Sequence, residues 1–103
     1  ANPRIAYLCC LKELRAIVSV MDEHGISGMR DRISDTALYG ALTRGPRIAG
    51  EKTREEMRGI LKEIRSGTFA EELKKELESG AENLRRLKEA ARRHPMERFS
   101  GNQ

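Results

Sequence analysis

At 103 residues the chain has room for one small domain, and a domain of that size buries only about two thirds of the surface its unfolded chain exposes. With 38% hydrophobic residues, two Tyr, two Phe and no Trp, its core must be aliphatic and thin. Roughly 25 cal/mol per Å² of apolar burial set against roughly 1.5 kcal/mol of entropy per ordered residue leaves an isolated monomer little margin, so the composition points to self-association.

The 20 Lys and Arg outnumber the 16 Asp and Glu, for a net charge of +4, and the surplus is uneven. From Ala81 onward Arg85, Arg86, Lys88, Arg92, Arg93 and Arg98 face only Glu82, Glu89 and Glu97. That imbalance raises the possibility of a basic nucleic-acid-binding helical module. The stretch has a single aromatic, Phe99, and interleaved acids, so a solvated helix face accounts for it more simply. Cys9 and Cys10 are adjacent, which is poor geometry for a disulfide between them and no framework for a secreted fold. No signal peptide, transit peptide or membrane-length apolar run is recognisable, and the chain reads as soluble and cytoplasmic.

In chain order, Pro3 suits the first turn of an opening helix, where its missing N–H costs nothing. The run Ile5–Met21 is the longest apolar-rich stretch. Leu11, Leu14, Val18 and Met21 space a buried stripe, with Ile17 beside it, while Ala6, Cys10 and Val20 widen it. This predicts a central helix that needs cover on more than one side. Glu13 stands out close to that face, because an ionised carboxylate there requires a cation, a donor or water. Cys9 lies one turn before it on the same side.

Gly25 is expected to end the helix just after His24, a residue better explained as a dipole-compatible surface group than as a metal ligand. The chain then runs irregularly from Gly28 and becomes helical, with Ser34 or Asp35 as N-cap. Gly45-Pro46 predicts the end of that helix. Thr53-Arg54-Glu55-Glu56 matches a capping box ahead of the stripe Met57, Ile60, Leu61 and Ile64, and Gly67 stops the helix. Thr68-Phe69-Ala70-Glu71 is a second box, opening a helix with Phe69, Leu73 and Leu77 on its apolar side and Gly80 as its stop. A last helix carries Leu84, Leu87 and Ala91 and ends before Pro95. No segment alternates at period two. The expected fold class is all-α, a compact multi-helix domain over residues 1–103 with no repeat and no dividing linker.

From spacing alone the chemistry is sparse. There is no phosphate-binding Gly-rich loop and no nucleophile with a nearby His. Glu13 with Cys9 at i, i+4 could contribute to a metal site, but one carboxylate and one thiol form an incomplete ligand set. Ser34 is by default a cap.

A series of motifs carries more information. Ala6-Tyr7-Leu8-Cys9-Cys10-Leu11-Lys12-Glu13-Leu14-Arg15, Gly25-Ile26-Ser27-Gly28-Met29-Arg30, Ile33-Ser34-Asp35-Thr36-Ala37 with Tyr39-Gly40, Gly45-Pro46-Arg47, Ile60-Leu61-Lys62-Glu63-Ile64-Arg65-Ser66-Gly67 with Phe69-Ala70, and His94-Pro95 occur in this order. Together they resemble the C-terminal helical domain of ketol-acid reductoisomerase across nearly the whole chain. The resemblance implies a Mg²⁺-dependent, NADPH-using enzyme of branched-chain amino acid synthesis, which shifts an alkyl group in a 2-acetohydroxy acid and then reduces the ketone. It implies a metal and substrate site in which the family's two glutamates fall on Cys9 and Glu13, and a substrate-contacting serine that falls on Ser34. It also implies a knotted or intertwined fold built from two chains, so the expected partner is a second copy.

The sequence departs from that pattern in three ways. Cys9 replaces a family glutamate, and a soft thiol is a poor Mg²⁺ ligand. The resemblance includes neither the dinucleotide-binding domain nor the preceding segment whose Asp and Glu complete the two-metal site. The helices around Leu73-Lys74-Lys75-Glu76-Leu77 and Leu84-Arg85-Arg86-Leu87-Lys88-Glu89 have an idealised Leu, Lys, Glu and Arg composition that leans toward an engineered surface. The expectation is a homodimeric helical scaffold with a remnant metal site, no complete catalytic set and no cofactor of its own. The alternative is an active-site half that needs a separate dinucleotide-binding chain.

Overall fold

The computed structural model describes residues 2–99. Among these residues the chain is all-α, with no strand. Helix α1, Pro3–Tyr7, is capped by Asn2, whose Oδ1 accepts the Arg4 N–H at 2.9 Å, and Pro3 occupies the first turn. The expected uninterrupted helix over Ile5–Met21 then departs from α geometry. Leu8–Lys12 is a π-helical turn, closed by the Glu13 N–H donating to the Leu8 carbonyl, and α2, Glu13–Arg30, continues from it. A π turn inserts one residue into the ladder and so rotates the downstream face by about 100° relative to the upstream one. Leu14, Ile17, Val18 and Met21 form a regular stripe after the insertion, whereas Ile5 and Leu8 precede it. On an ideal α-helix the apolar residues of the run would spread around much of the circumference, and this rotation brings Leu14, Ile17 and Met21 back toward the side that carries Ile5.

Gly25 breaks α2 as its sequence position predicts, at φ 74° and ψ 173°. Helical geometry resumes afterwards to Arg30, where an irregular stretch was expected, and Arg32 Nη1 closes the turn on the Gly28 carbonyl at 2.8 Å. Helix α3, Asp35–Ile48, runs through Gly45-Pro46 instead of ending there. Pro46 removes one N–H donor from the last turn, but the helix continues two residues past it, and Ala49 N–H reaches the Gly45 carbonyl at 2.9 Å. The stop falls at Gly50, where a Cβ would sit 2.4 Å from the Pro46 carbonyl oxygen.

Helix α4, Glu51–Arg65, starts two residues before the expected capping box. Thr53 Oγ1 is not a cap there; it donates to the Ile48 carbonyl at 2.8 Å, tying the end of α3 to the start of α4. Glu51 occupies the first turn and pairs with Arg54 at 3.5 Å and Arg58 at 3.1 Å. These exposed pairs are worth about 0.3–0.5 kcal/mol each. Helix α5, Thr68–Glu78, follows Gly67 at φ 86°, and the Ser66 hydroxyl serves its N-terminus in place of the expected box, 3.4 Å from the Thr68 N–H and 2.8 Å from the Thr68 hydroxyl. Gly80, at φ 98°, ends α5 in a Schellman arrangement: Ala81 N–H donates to the Glu76 carbonyl at 2.8 Å and Gly80 N–H to the Leu77 carbonyl at 3.2 Å. Helix α6, Glu82–Arg92, ends before Pro95 as expected, and a 3₁₀ turn, Pro95–Phe99, follows.

The chain divides into two units, Ala1–Asp35 with Ala90–Gln103, and Thr36–Glu89. In the first, α1 contacts the 3₁₀ turn; in the second, α4 contacts α5. No described residue is buried, and the exposed large apolar side chains range from 42% at Leu73 to 84% at Ile48, while Ile17, Met21, Ile33 and Leu38 are half-buried. No described helix is long and apolar enough to cross a membrane.

Ala81 is the one described non-glycine residue at positive φ, 56°. The left-handed conformation costs an L-residue roughly 1–2 kcal/mol, and glycine's extra unfolded-state entropy returns about 0.5–1 kcal/mol of that. Ala81→Gly should therefore stabilise the fold by about 0.5 kcal/mol, read as a higher denaturant midpoint at fixed protein concentration. A lower midpoint would show that the turn does not hold Ala81 in this conformation.

Candidate functional site

The residues singled out by sequence all fall in the first unit. Cys9 sits inside the π turn and is exposed, as is Cys10. Glu13 is the first residue of α2, also exposed, and its backbone N–H closes the turn on Leu8. The structure therefore places the thiol and the carboxylate on consecutive turns of one continuous rod, with the π turn between them setting their relative orientation. Among the described residues the Glu13 carboxylate has no ion pair, and its exposure leaves water to meet the charge. Ser34 is exposed immediately before α3, in the N-cap position, beyond the break at Gly25.

His24 lies late in α2 just before Gly25, with Nε2 3.7 Å from Glu23 Oε2 and no other acid or thiol in an ion pair with it among the described residues. His94 is occupied locally, its Nδ1 accepting the Met96 N–H at 3.2 Å. Neither joins Cys9 and Glu13.

Two features near the site were not read from the sequence. One is the π turn itself. Such insertions occur often at functional positions, but no residue type encodes them, and its only trace was the unusually broad apolar circumference of Ile5–Met21. The other is a cleft of about 290 Å³ beside the turn, lined by Arg4, Tyr7, Leu8, Lys12 and Phe99. Arg98 stacks over the Phe99 ring at 5.0 Å from its centroid. The cleft exists because the 3₁₀ turn folds back onto α1, a long-range contact that helical periodicity does not reveal.

The Mg²⁺ implied by the family resemblance can be tested against this donor set. Magnesium demands near-ideal octahedral oxygen coordination, and the chain offers one carboxylate and one soft thiol. No group of three or more His, Cys, Asp and Glu is placed to hold a metal among the described residues. These residues do not fit a Mg²⁺ site by themselves.

The sequence matches the model of the family described as ketol-acid reductoisomerase, C-terminal domain, over residues 1–102. The chain belongs to that family. Its fold is similar to a solved NADH-preferring ketol-acid reductoisomerase from an uncultured archean, with a TM-score of 0.89 and 34% sequence identity over 93% of this chain. The matched region is 29% of that protein's length, so the chain spans less than a third of the solved relative.

Proposed function

We propose that residues 1–103 act as one helical domain of ketol-acid reductoisomerase type, a homodimeric scaffold carrying a remnant of the metal and substrate site and no turnover alone. The observation that carries this reading is the absence of any buried side chain among the described residues, in a chain whose helices each present an apolar stripe. The stripe Leu14, Ile17, Val18 and Met21 and the stripe Met57, Ile60, Leu61 and Ile64 require a covering surface. A second copy supplies identical stripes through a two-fold contact.

In this reading the α2 face packs on the partner, Glu13 retains one oxygen ligand of the family's metal site, and the Ser34 hydroxyl hydrogen-bonds a substrate oxygen. Cys9 stands where a second carboxylate would be required. The family's reaction also needs a reduced nicotinamide, NADPH or, as in the solved relative, NADH. The described residues contain no strand and so no dinucleotide-binding unit of the strand, Gly-rich loop and helix kind. The length ratio to the solved relative favours one alternative, an active-site half completed by a separate dinucleotide-binding chain. Turnover that appears only on adding such a chain would select it.

The 103-residue chain alone should neither oxidise NADPH or NADH nor convert 2-acetolactate. Mg²⁺-dependent turnover by the polypeptide would overturn the scaffold reading. In calorimetry it should bind Mg²⁺ no more tightly than an exposed carboxylate cluster does, and Cys9→Glu should raise affinity only slightly; saturable tight binding would show a complete site.

Light scattering coupled to size exclusion should give a dimer mass, with a melting temperature that rises with protein concentration. Leu14→Asp or Val18→Asp, by burying an unpaired charge in place of apolar contact, should cost at least about 3 kcal/mol and abolish assembly and folding together. A monomer with a concentration-independent melt would sink the dimer.

A further inference from the structure

The net charge of the chain is concentrated on two stretches that the fold brings together. Residues 1–15 hold Arg4, Lys12 and Arg15 against Glu13, and residues 90–99 hold Arg92, Arg93 and Arg98 against Glu97. With six basic and two acidic residues these stretches account for the whole surplus of +4, and the rest of the chain carries 14 of each sign. They are far apart in sequence, and the contact between α1 and the 3₁₀ turn joins them within the first unit. Arg85, Arg86 and Lys88 of α6 belong to the other unit and take no part.

The cleft made by that contact, about 290 Å³, has Tyr7 and Leu8 on one side, Phe99 from the returning turn, and Arg4 and Lys12 on its rim. Both rings are half-buried, whereas Arg4 and Lys12 are exposed and form no ion pair among the described residues. Arg98, which does not line the cleft, sits over the Phe99 ring at 5.0 Å from its centroid, so it engages the ring from outside and adds charge beside it. Two rings and two uncompensated cations on one cleft call for a planar partner that carries negative charge.

We propose that this face binds single-stranded nucleic acid, one base entering the cleft against Tyr7 and Phe99 while the flanking phosphates meet Arg4 and Lys12. Aromatic side chains stack any base, and a basic surface follows the backbone. An acidic peptide would meet the cations and leave the rings unused. A duplex keeps its bases stacked inside and offers this face phosphates alone. A mononucleotide fills the cleft but leaves the charge beyond it, at Arg15 and Arg98, unmatched. One chain supplies every one of these groups, so the interface does not depend on the homodimer.

The test is fluorescence anisotropy of a labelled oligothymidylate of about 12 nucleotides, titrated with the 103-residue chain at several salt concentrations, with helicity followed by circular dichroism. Affinity should fall as salt rises. Arg4→Gln and Lys12→Gln should each weaken binding about fivefold near about 0.1 M salt and lower the slope of log affinity against log salt by about 0.7. Phe99→Leu, which keeps an apolar side chain against α1 and removes the stacking face, should weaken binding about tenfold with the slope unchanged; Tyr7→Leu gives the same readout should Phe99→Leu lose helicity. Lys62→Gln and Arg65→Gln, which take the same charge from α4 in the other unit, should leave affinity within about twofold of wild type. An α4 pair as damaging as the Arg4 and Lys12 pair, or helical ring variants that bind as wild type, would reduce the effect to general electrostatics and overturn the proposal. Equal affinity for a duplex of the same length, displacement by thymidine monophosphate at the same nucleotide concentration, or no binding at low salt would overturn it as well.

Discussion

The structure depends on an imbalance between the apolar surface its helices present and the cover they give one another. Helix α4 carries four large apolar residues on one stripe, α5 and α6 carry short leucine rows, and α2 carries the stripe Leu14, Ile17, Val18 and Met21. Yet no described side chain among them reaches full burial. Each half-covered Leu or Ile forgoes on the order of 1 kcal/mol relative to complete burial, and the losses accumulate over a dozen and a half residues. A chain with so little apolar content cannot regain this by adding layers. The same surface explains why the charged residues matter: around narrow stripes they cost little in stability, and they decide which surfaces can approach one another.

The π turn links this packing problem to the candidate site. It sits where Cys9 and Glu13 lie, and it changes the direction in which the rod presents its apolar residues. An uninterrupted α-helix would set Ile5 and Leu14, nine residues apart, on opposite sides and spread the apolar face around the rod. The insertion brings the apolar residues on either side of it closer to one face, while the segment before it meets the 3₁₀ turn at Pro95–Phe99. The geometry of the candidate site and the phase of the α2 stripe are therefore set by the same local distortion, and a change that removed it would alter both.

Much of the helical framework was legible from residues with strong backbone preferences. Gly25, Gly67 and Gly80 take positive φ where the stop signals placed them, because the left-handed conformation that ends a helix excludes most side chains. The expectations that failed were those resting on a short pattern without its surroundings. Thr53 lay in a capping-box sequence, but its hydroxyl reached the preceding helix because α3 and α4 are separated by only two residues. Pro46 marked a stop that the helix overran by only two residues, ending at Ile48. At the site, spacing placed Cys9 and Glu13 on one side of the helix, and only the family resemblance assigned them, with Ser34, a chemical role. The contact between α1 and the 3₁₀ turn could not be read at all, because nothing in a helical period encodes which distant segment returns to it.

In the reading proposed above, the thiol at position 9 leaves the family's architecture intact while weakening the chemistry of the site. Replacing a carboxylate with a thiol removes two hard oxygen acceptors and the negative charge that would hold a hydrated magnesium ion. The surrounding helix is indifferent to the change, since Cys9 is exposed and supports no buried contact. Folding therefore exerts no restoring pressure on that residue, whereas the glycine stops at Gly25, Gly67 and Gly80 are held in place by backbone geometry. The two sets of constraints are separable. The family match spans residues 1–102, the whole of the described helical framework, whereas no group of three or more His, Cys, Asp and Glu among the described residues is placed to hold a metal.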